Sequence, residues 1–157
     1  MDAASLTQAP AGTLPEDITH LLAKQKLAVL ATHQQGQPHA SLVAFAASAD
    51  GRVVIFATTR TSRKYANLQA DPRAALLIDS RTHREADFHE AMALAAKGVA
   101  HEVTGPQRLE LAGLLLGKHP HLQDFVASPT CALMALEVAI YELACRFQQV
   151  LIYRFRS

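Results

Sequence analysis

The chain has 157 residues, of which 50% are hydrophobic and 18% charged, so it describes one globular domain rather than a disordered segment. At that length it is able to bury roughly two-thirds of the surface its unfolded form exposes. A formal net charge of +1 gives no field to draw nucleic acid or an anionic membrane, so any anion must be held by a local cluster.

The start of the sequence has no basic leader, and no stretch approaches the roughly 20 apolar residues of a membrane span. Cys131 and Cys145 lack metal or redox spacing and read as small reduced hydrophobes. Together these features predict a cytoplasmic protein.

Residues 1–13, rich in Ala, Thr, Gln and Gly, read as a loose tail, which leaves 14–157 as the domain. Thr13 as a cap, Pro15 in the first turn and Glu16 with Asp17 at the positive end of the dipole predict a helix to about Gln25. Ile18, Leu21 and Leu22 mark its buried face. From Leu27 the period changes. Leu27 to Thr32 has strand length and ends at the turn signal 34–38, and His39 to Ala46 alternates as a second strand. Asp50-Gly51 is a hairpin signal before the β-branched strand Val53 to Thr58.

Thr61-Ser62 then caps a helix from Arg63 to about Ala70, closed by Asp71-Pro72. Ala74 to Asp79 predicts a fourth strand, and the polar stretch 80–90 a loop or one helical turn. Residues 91–103 fit a helix by composition, but Gly98-Val99-Ala100 suits a long bent strand, the assignment adopted here. Helices are expected after Gly105-Pro106, ending at Gly117, and after Pro120; strands follow near 132–145 and 148–155. Hairpin-joined strands with inserted helices, without regular strand–helix alternation, predict an antiparallel barrel.

The chemically informative segment is 56–65. There a strand ends in the hydroxyls of Thr58 and Thr59, and a helix opens on Ser62 followed at once by Arg63 and Lys64. A helix N-terminus carries unpaired N–H groups and partial positive charge, and the two side chains add a bidentate donor and a point cation. That combination suits a phosphate. The plainer reading is a solvated helix start, although cations there oppose the dipole. His119-Pro120-His121 brings two imidazoles close without a third ligand at metal spacing, so the histidines read as surface or capping groups. Neither a Gly-x-Ser-x-Gly elbow nor a glycine-rich phosphate loop occurs.

The order and spacing of several pieces resemble the FMN-binding split barrel of the pyridoxamine 5'-phosphate oxidase family. They are Ala31-Thr32, Gly36-Gln37-Pro38, Ser41 to Phe45, Val54 to Thr58, Ser62-Arg63-Lys64 with Asn67-Leu68, and Pro72 to Leu77. The resemblance implies a mainly β, antiparallel split barrel of six to seven strands with short peripheral helices. It also implies FMN as cofactor and a homodimer with the flavin at its interface. Arg63 and Lys64 would hold the phosphate, with Ser62 near it, and Thr58 and Thr59 would follow the ribityl chain or ring. The backbone around Leu42 and Val43 would meet the isoalloxazine edge, and Gln148 or Gln149 would contribute from the last strands. The oxidase itself carries two basic residues on the second strand where this chain has Ala40-Ser41-Leu42-Val43-Ala44-Phe45, so a relative is expected rather than the oxidase. The activity implied is flavin-dependent oxidoreduction of a small molecule or a reduced nicotinamide. The alternatives are a non-catalytic module holding FMN, heme or a deazaflavin, and a structural dimer with a degenerate pocket.

Overall fold

The computed structural model describes residues 5–10, 12–145 and 149–156. Its eight strands form one sheet in the order β1-β8-β7-β4-β3-β2-β5-β6, and a further β6–β7 pairing closes six of them into a barrel. The two remaining strands, β1 (Ser5–Gln8) and β8 (Gln149–Arg154), extend from β7 as a flap. β1 lies inside the segment expected as a loose tail, where Ser5 to Gln8 runs parallel to β8. Alternation in so short and polar a stretch does not reveal an edge strand, because the hydrogen bonds belong to its neighbour.

Helix α1 (Glu16–Lys24) starts after Pro15, and no side chain caps it, so Thr13 does not play the expected role. Ile18, Leu21 and Leu22 are buried by it as their spacing predicts. β2 (Leu27–Gln34) and β3 (Gln37–Ala47) form a hairpin two residues longer than expected on the β2 side. The tight turn is made by Gln35 and Gly36, both at positive φ (51° and 77°), which matches strand twist. Pro38 therefore lies within β3, where no β4 residue pairs with it, so its missing N–H costs no ladder bond. β4 (Val53–Thr59), α2 (Arg63–Ala70) and β5 (Arg73–Asp79) follow as the patterns predict.

The loop after β5 contains a single helical turn, α3 (Asp87–Glu90). β6 (Ala93–Glu102) is the long bent strand, with its register shift between Lys97 and Gly98. α4 (Pro106–Lys118), a turn of tighter helix at Pro120–Leu122, and α5 (Gln123–Ala127) precede the long β7 (Cys131–Cys145).

Two cores result. Inward residues of the barrel, among them Leu30, Val43, Phe45, Phe56, Leu76, Ile78, Leu94, Met134 and Tyr141, fill its interior under α1. The outer face of β4 and β7 packs Ile55, Leu133 and Ala135 against Leu111, Leu115 and Val126 of α4 and α5. Among the described residues no helix covers the outer face of β2, β5, β6 and the first half of β3, since α4 reaches β3 only at its end near Ala46, which leaves Leu27, Leu42, Leu77 and Val99 exposed. Among the described residues no helix is long and apolar enough to cross a membrane.

Candidate functional site

The β3–β4 ladder is short: only Phe45–Phe56, Ala46–Ile55 and Ala47–Val54 pair. Beyond Phe45 the first half of β3 stays with β2, while Ala57, Thr58 and Thr59 go with β7. The two strands part, and the barrel wall splits where β4 ends and α2 begins. At this split stand Thr58, Thr59, Ser62, Arg63 and Lys64 of the residues that the sequence singled out.

Ser62 is the cap of α2: its Oγ accepts the Tyr65 N–H at 3.3 Å and lies 2.7 Å from the Thr58 hydroxyl. That bond ties the end of β4 to the helix start and buries Thr58, while Thr59 Oγ1 lies 3.3 Å from the Thr61 hydroxyl. Arg63 is exposed and lines a hollow of about 330 Å³ with Gln34, Gln35, Gln37, Pro38, His39 and Asn67, so the β2–β3 hairpin tip faces the first turn of α2. Lys64 follows on that turn, half-buried and outside this hollow.

Leu42 and Val43 point to opposite faces, as neighbours on a strand must. The Leu42 side chain is 66% exposed on the outer sheet, whereas Val43 is in the core. Gln149 stands at the start of β8 in a separate hollow with Asp17, His89, Glu90, Met92 and Cys145, so within one chain it does not join Arg63. Gln148 lies outside the described residues.

Two polar atoms in this region were not singled out from sequence. Asn67, 2% exposed, donates its Nδ2 hydrogen to Thr32 Oγ1 at 3.0 Å and leaves Oδ1 without a partner. Ser41 Oγ, on the inward phase of β3, is also buried without a partner. Each such atom costs about 1–3 kcal/mol unless something bonds to it. The signal was available: Ser41 interrupts the apolar inward series continued by Val43 and Phe45, and Asn67 sits beside Leu68 on the buried face of α2.

A second network braces the site. Glu102 accepts from Arg60 Nη2 at 2.7 Å and from Tyr65 OH at 2.8 Å, and Arg60 also donates to the Pro129 carbonyl. The Arg60 guanidinium, with help from Tyr65, holds the Glu102 carboxyl below its usual range against the opposing effect of burial. The Tyr65 bond fixes α2 to the end of β6, and the Arg60 ion pair fixes the β4–α2 turn to the same carboxylate. His119 is not a surface residue: it is buried, its Nε2 lies 2.8 Å from the Phe45 carbonyl, and burial pushes its pKa down.

The site thus offers an anion-compatible helix start with two cations, hydroxyls along one wall, and a split wall with orphaned polar atoms. These features fit a phosphate-bearing cofactor. The fit is weaker than two cations on β3 would make it, since Ala40 and Phe45 stand there.

No curated protein sequence matches this chain. Among solved structures, a heme binding protein from Mycobacterium smegmatis has a TM-score of 0.77 at 15% identity, over 91% of this chain and 60% of that one. This chain therefore spans only part of that protein's length. HutZ, the heme storage protein from Vibrio cholerae, has a TM-score of 0.71 at 17% identity, covering 88% of this chain and 98% of that one. A FAD-binding protein from Mesorhizobium loti has a TM-score of 0.66 at 15% identity, covering 81% and 89%. These likenesses establish the fold. The family model described as pyridoxamine 5'-phosphate oxidase matches residues 14–139, most of the barrel and the whole split between β3 and β4, and the chain belongs to that family.

Proposed function

We propose that the chain is an FMN-dependent oxidoreductase that works as a homodimer on a small organic substrate or a reduced nicotinamide. The observation that carries this reading is the split between β3 and β4, where the capped start of α2 presents Arg63 and Lys64, and Arg63 shares a hollow with Asn67, whose Oδ1 is orphaned. Arg63, Lys64 and Ser62 hold the phosphate. Thr58 and Thr59 follow the ribityl chain, and the backbone at Leu42 and Val43 meets the ring edge. Bound FMN supplies two-electron hydride chemistry, so the chain needs no acid–base constellation of its own; its residues orient the ring and exclude water. The uncovered sheet face of Leu27, Leu42 and Leu77 supports a second copy as the cover.

Heme is the second reading. It is favoured by two solved structures of this fold described as heme proteins and by the missing β3 cations. A visible spectrum after incubation with each cofactor and desalting separates the two. A retained two-banded flavin spectrum supports the first reading, a Soret band the second, and no chromophore removes both. Replacing Arg63 and Lys64 together by Ala is expected to weaken FMN more than about 100-fold, since two charge-assisted bonds of about 1.5–3 kcal/mol each are lost. Unchanged affinity in a titration removes these residues from the phosphate site.

A further inference from the structure

A groove of about 580 Å³ crosses the uncovered outer face of β2, β3 and β5. Its apolar floor is Leu27, Val29, Leu42 and Leu77. Leu42 lies opposite Val29 in one ladder and Leu77 opposite Val29 in the other, so three strands present one continuous strip. Lys24 and Lys26, from the α1–β2 junction, line it together with Asp79, Arg81 and His83 from the end of β5 and the loop beyond.

Charge in the groove does not balance. Asp79 is taken by Arg81, whose Nε lies 2.9 Å from Oδ1. Among the described residues Lys24 and Lys26 make no ion pair. Lys24 has a structural use, because it stands in the last turn of α1 where the dipole favours a cation. Lys26 lies past the helix and has none. Its charge acts on Lys118 as well, adding to burial in drawing that ammonium down to about 8. The loop that brings His83 to the groove is held by Asp87, whose carboxylate accepts from Thr82 N, Thr82 Oγ1 and His83 N. His83 is thereby kept at φ 62°, a conformation that local bonding must maintain.

We infer that this groove binds a small amphipathic organic anion, its apolar body on Leu27, Val29, Leu42 and Leu77 and its carboxylate at Lys24 and Lys26. An apolar floor alone would suit any hydrophobe, and surface lysines alone any anion. Their meeting in one groove selects a molecule that has both parts. The assignment of this anion as substrate rests on the flavin reading, since Leu42 borders both the groove and the proposed ring site. In the dimer a second copy would roof the groove and keep water from the apolar body.

The test uses the full chain and two fluorescent probes with the same kind of ring body. One is 8-anilinonaphthalene-1-sulfonate, whose sulfonate stands in for the carboxylate; the other is neutral N-phenyl-1-naphthylamine. The sulfonate is expected to saturate at one site per chain and to be displaced by octanoate. Lys24→Gln with Lys26→Gln is expected to weaken the sulfonate about tenfold while leaving the neutral probe and the circular dichroism unchanged. No saturable binding, an unchanged sulfonate affinity in the double variant, or an equal fall for both probes overturns the proposal. FMN titration of the same proteins keeps the two readings apart. FMN retained without lysine-dependent probe binding removes the groove and leaves the cofactor, whereas the reverse leaves an anion site with no flavin beside it.

Discussion

Gly98 and Gly113 are the same residue under opposite constraints. β6 changes register between Lys97 and Gly98, and a methyl on Gly98 would overlap the backbone carbonyl of Glu137 on β7. Backbone cannot step aside as a side-chain tip can, so Gly98→Ala is expected to destabilise the fold by about 3 kcal/mol or more. Gly113 lies in α4 with no atom within 4 Å of an added methyl. There the entropy and helix-propensity arguments act alone, and Gly113→Ala is expected to stabilise by about 0.5–1 kcal/mol. Urea unfolding of both variants checks the pair; a Gly98→Ala protein as stable as the parent would mean that β6 need not bend there. Residue identity announced some of these roles in advance. Gly98 marked a bend and Ser62 a cap because each acts through its own backbone or that of the next turn. Asn67 and Ser41 gave weaker signals, because a buried polar atom is conspicuous only once the strand or helix phase is known to face inward.

At the scale of elements, α4 is locked onto the barrel at its C-terminal end. Lys118 Nζ donates to the Leu22 carbonyl at 2.8 Å, a group left orphaned in the last turn of α1, and stands 3.9 Å over the Phe45 ring. His119 beside it bonds the carbonyl of the same Phe45. Three elements, α1, β3 and α4, therefore meet at one half-buried cation faced by Lys26. Burial first, and then Lys26, lower the Lys118 pKa from 10.5 to about 8. Between those values the unfolded chain binds more protons than the folded one, so this group makes stability rise with pH from about 8 to about 10.5. The full shift would correspond to about 3 kcal/mol, and solvent screening of a half-buried group together with the Leu22 bond reduces it to about 1–2 kcal/mol. Lys118→Met lacks this rise. Comparing urea midpoints of parent and variant at pH 7 and pH 10 is expected to show the parent gaining on the variant at the higher pH. A constant gap would show that the ammonium is not desolvated. Elements of this kind were legible where they depend on local period: α2, the β2–β3 hairpin and the bend of β6 all lie close to their expected bounds. β1 and the docking of α4 were not, since their partners lie far along the chain.

The whole molecule poses the problem of the uncovered face. Helices cover the barrel outside β4 and β7, yet β2, β3, β5 and β6 carry Leu27, Leu42, Leu77 and Val99 into solvent. The barrel itself was expected from hairpin-joined strands and from the family resemblance, but the β4–β7 and β6–β7 pairings that close it were not, because they join residues far apart in the chain, such as Val53 with Glu137. Once closure is known, an apolar outer wall becomes the anomaly, for a monomer seldom keeps a contiguous apolar patch of that kind. A stable pair of proteins buries about 800 Å² on each partner, so an interface on this wall has to take in most of it. Leu77, the β5 member of the strip and 41% exposed, is a position where a charge should do great harm. Leu77→Lys is expected to turn a dimer into a monomer in sedimentation velocity and, if the proposed flavin site lies at that interface, to lose FMN on desalting. Leu109→Lys, on the outer side of α4 at 81% exposure, is the control and is expected to change neither. Dissociation by Leu109→Lys instead would move the interface to the helices. It would also leave the strip of Leu27, Leu42 and Leu77 to the small anion alone.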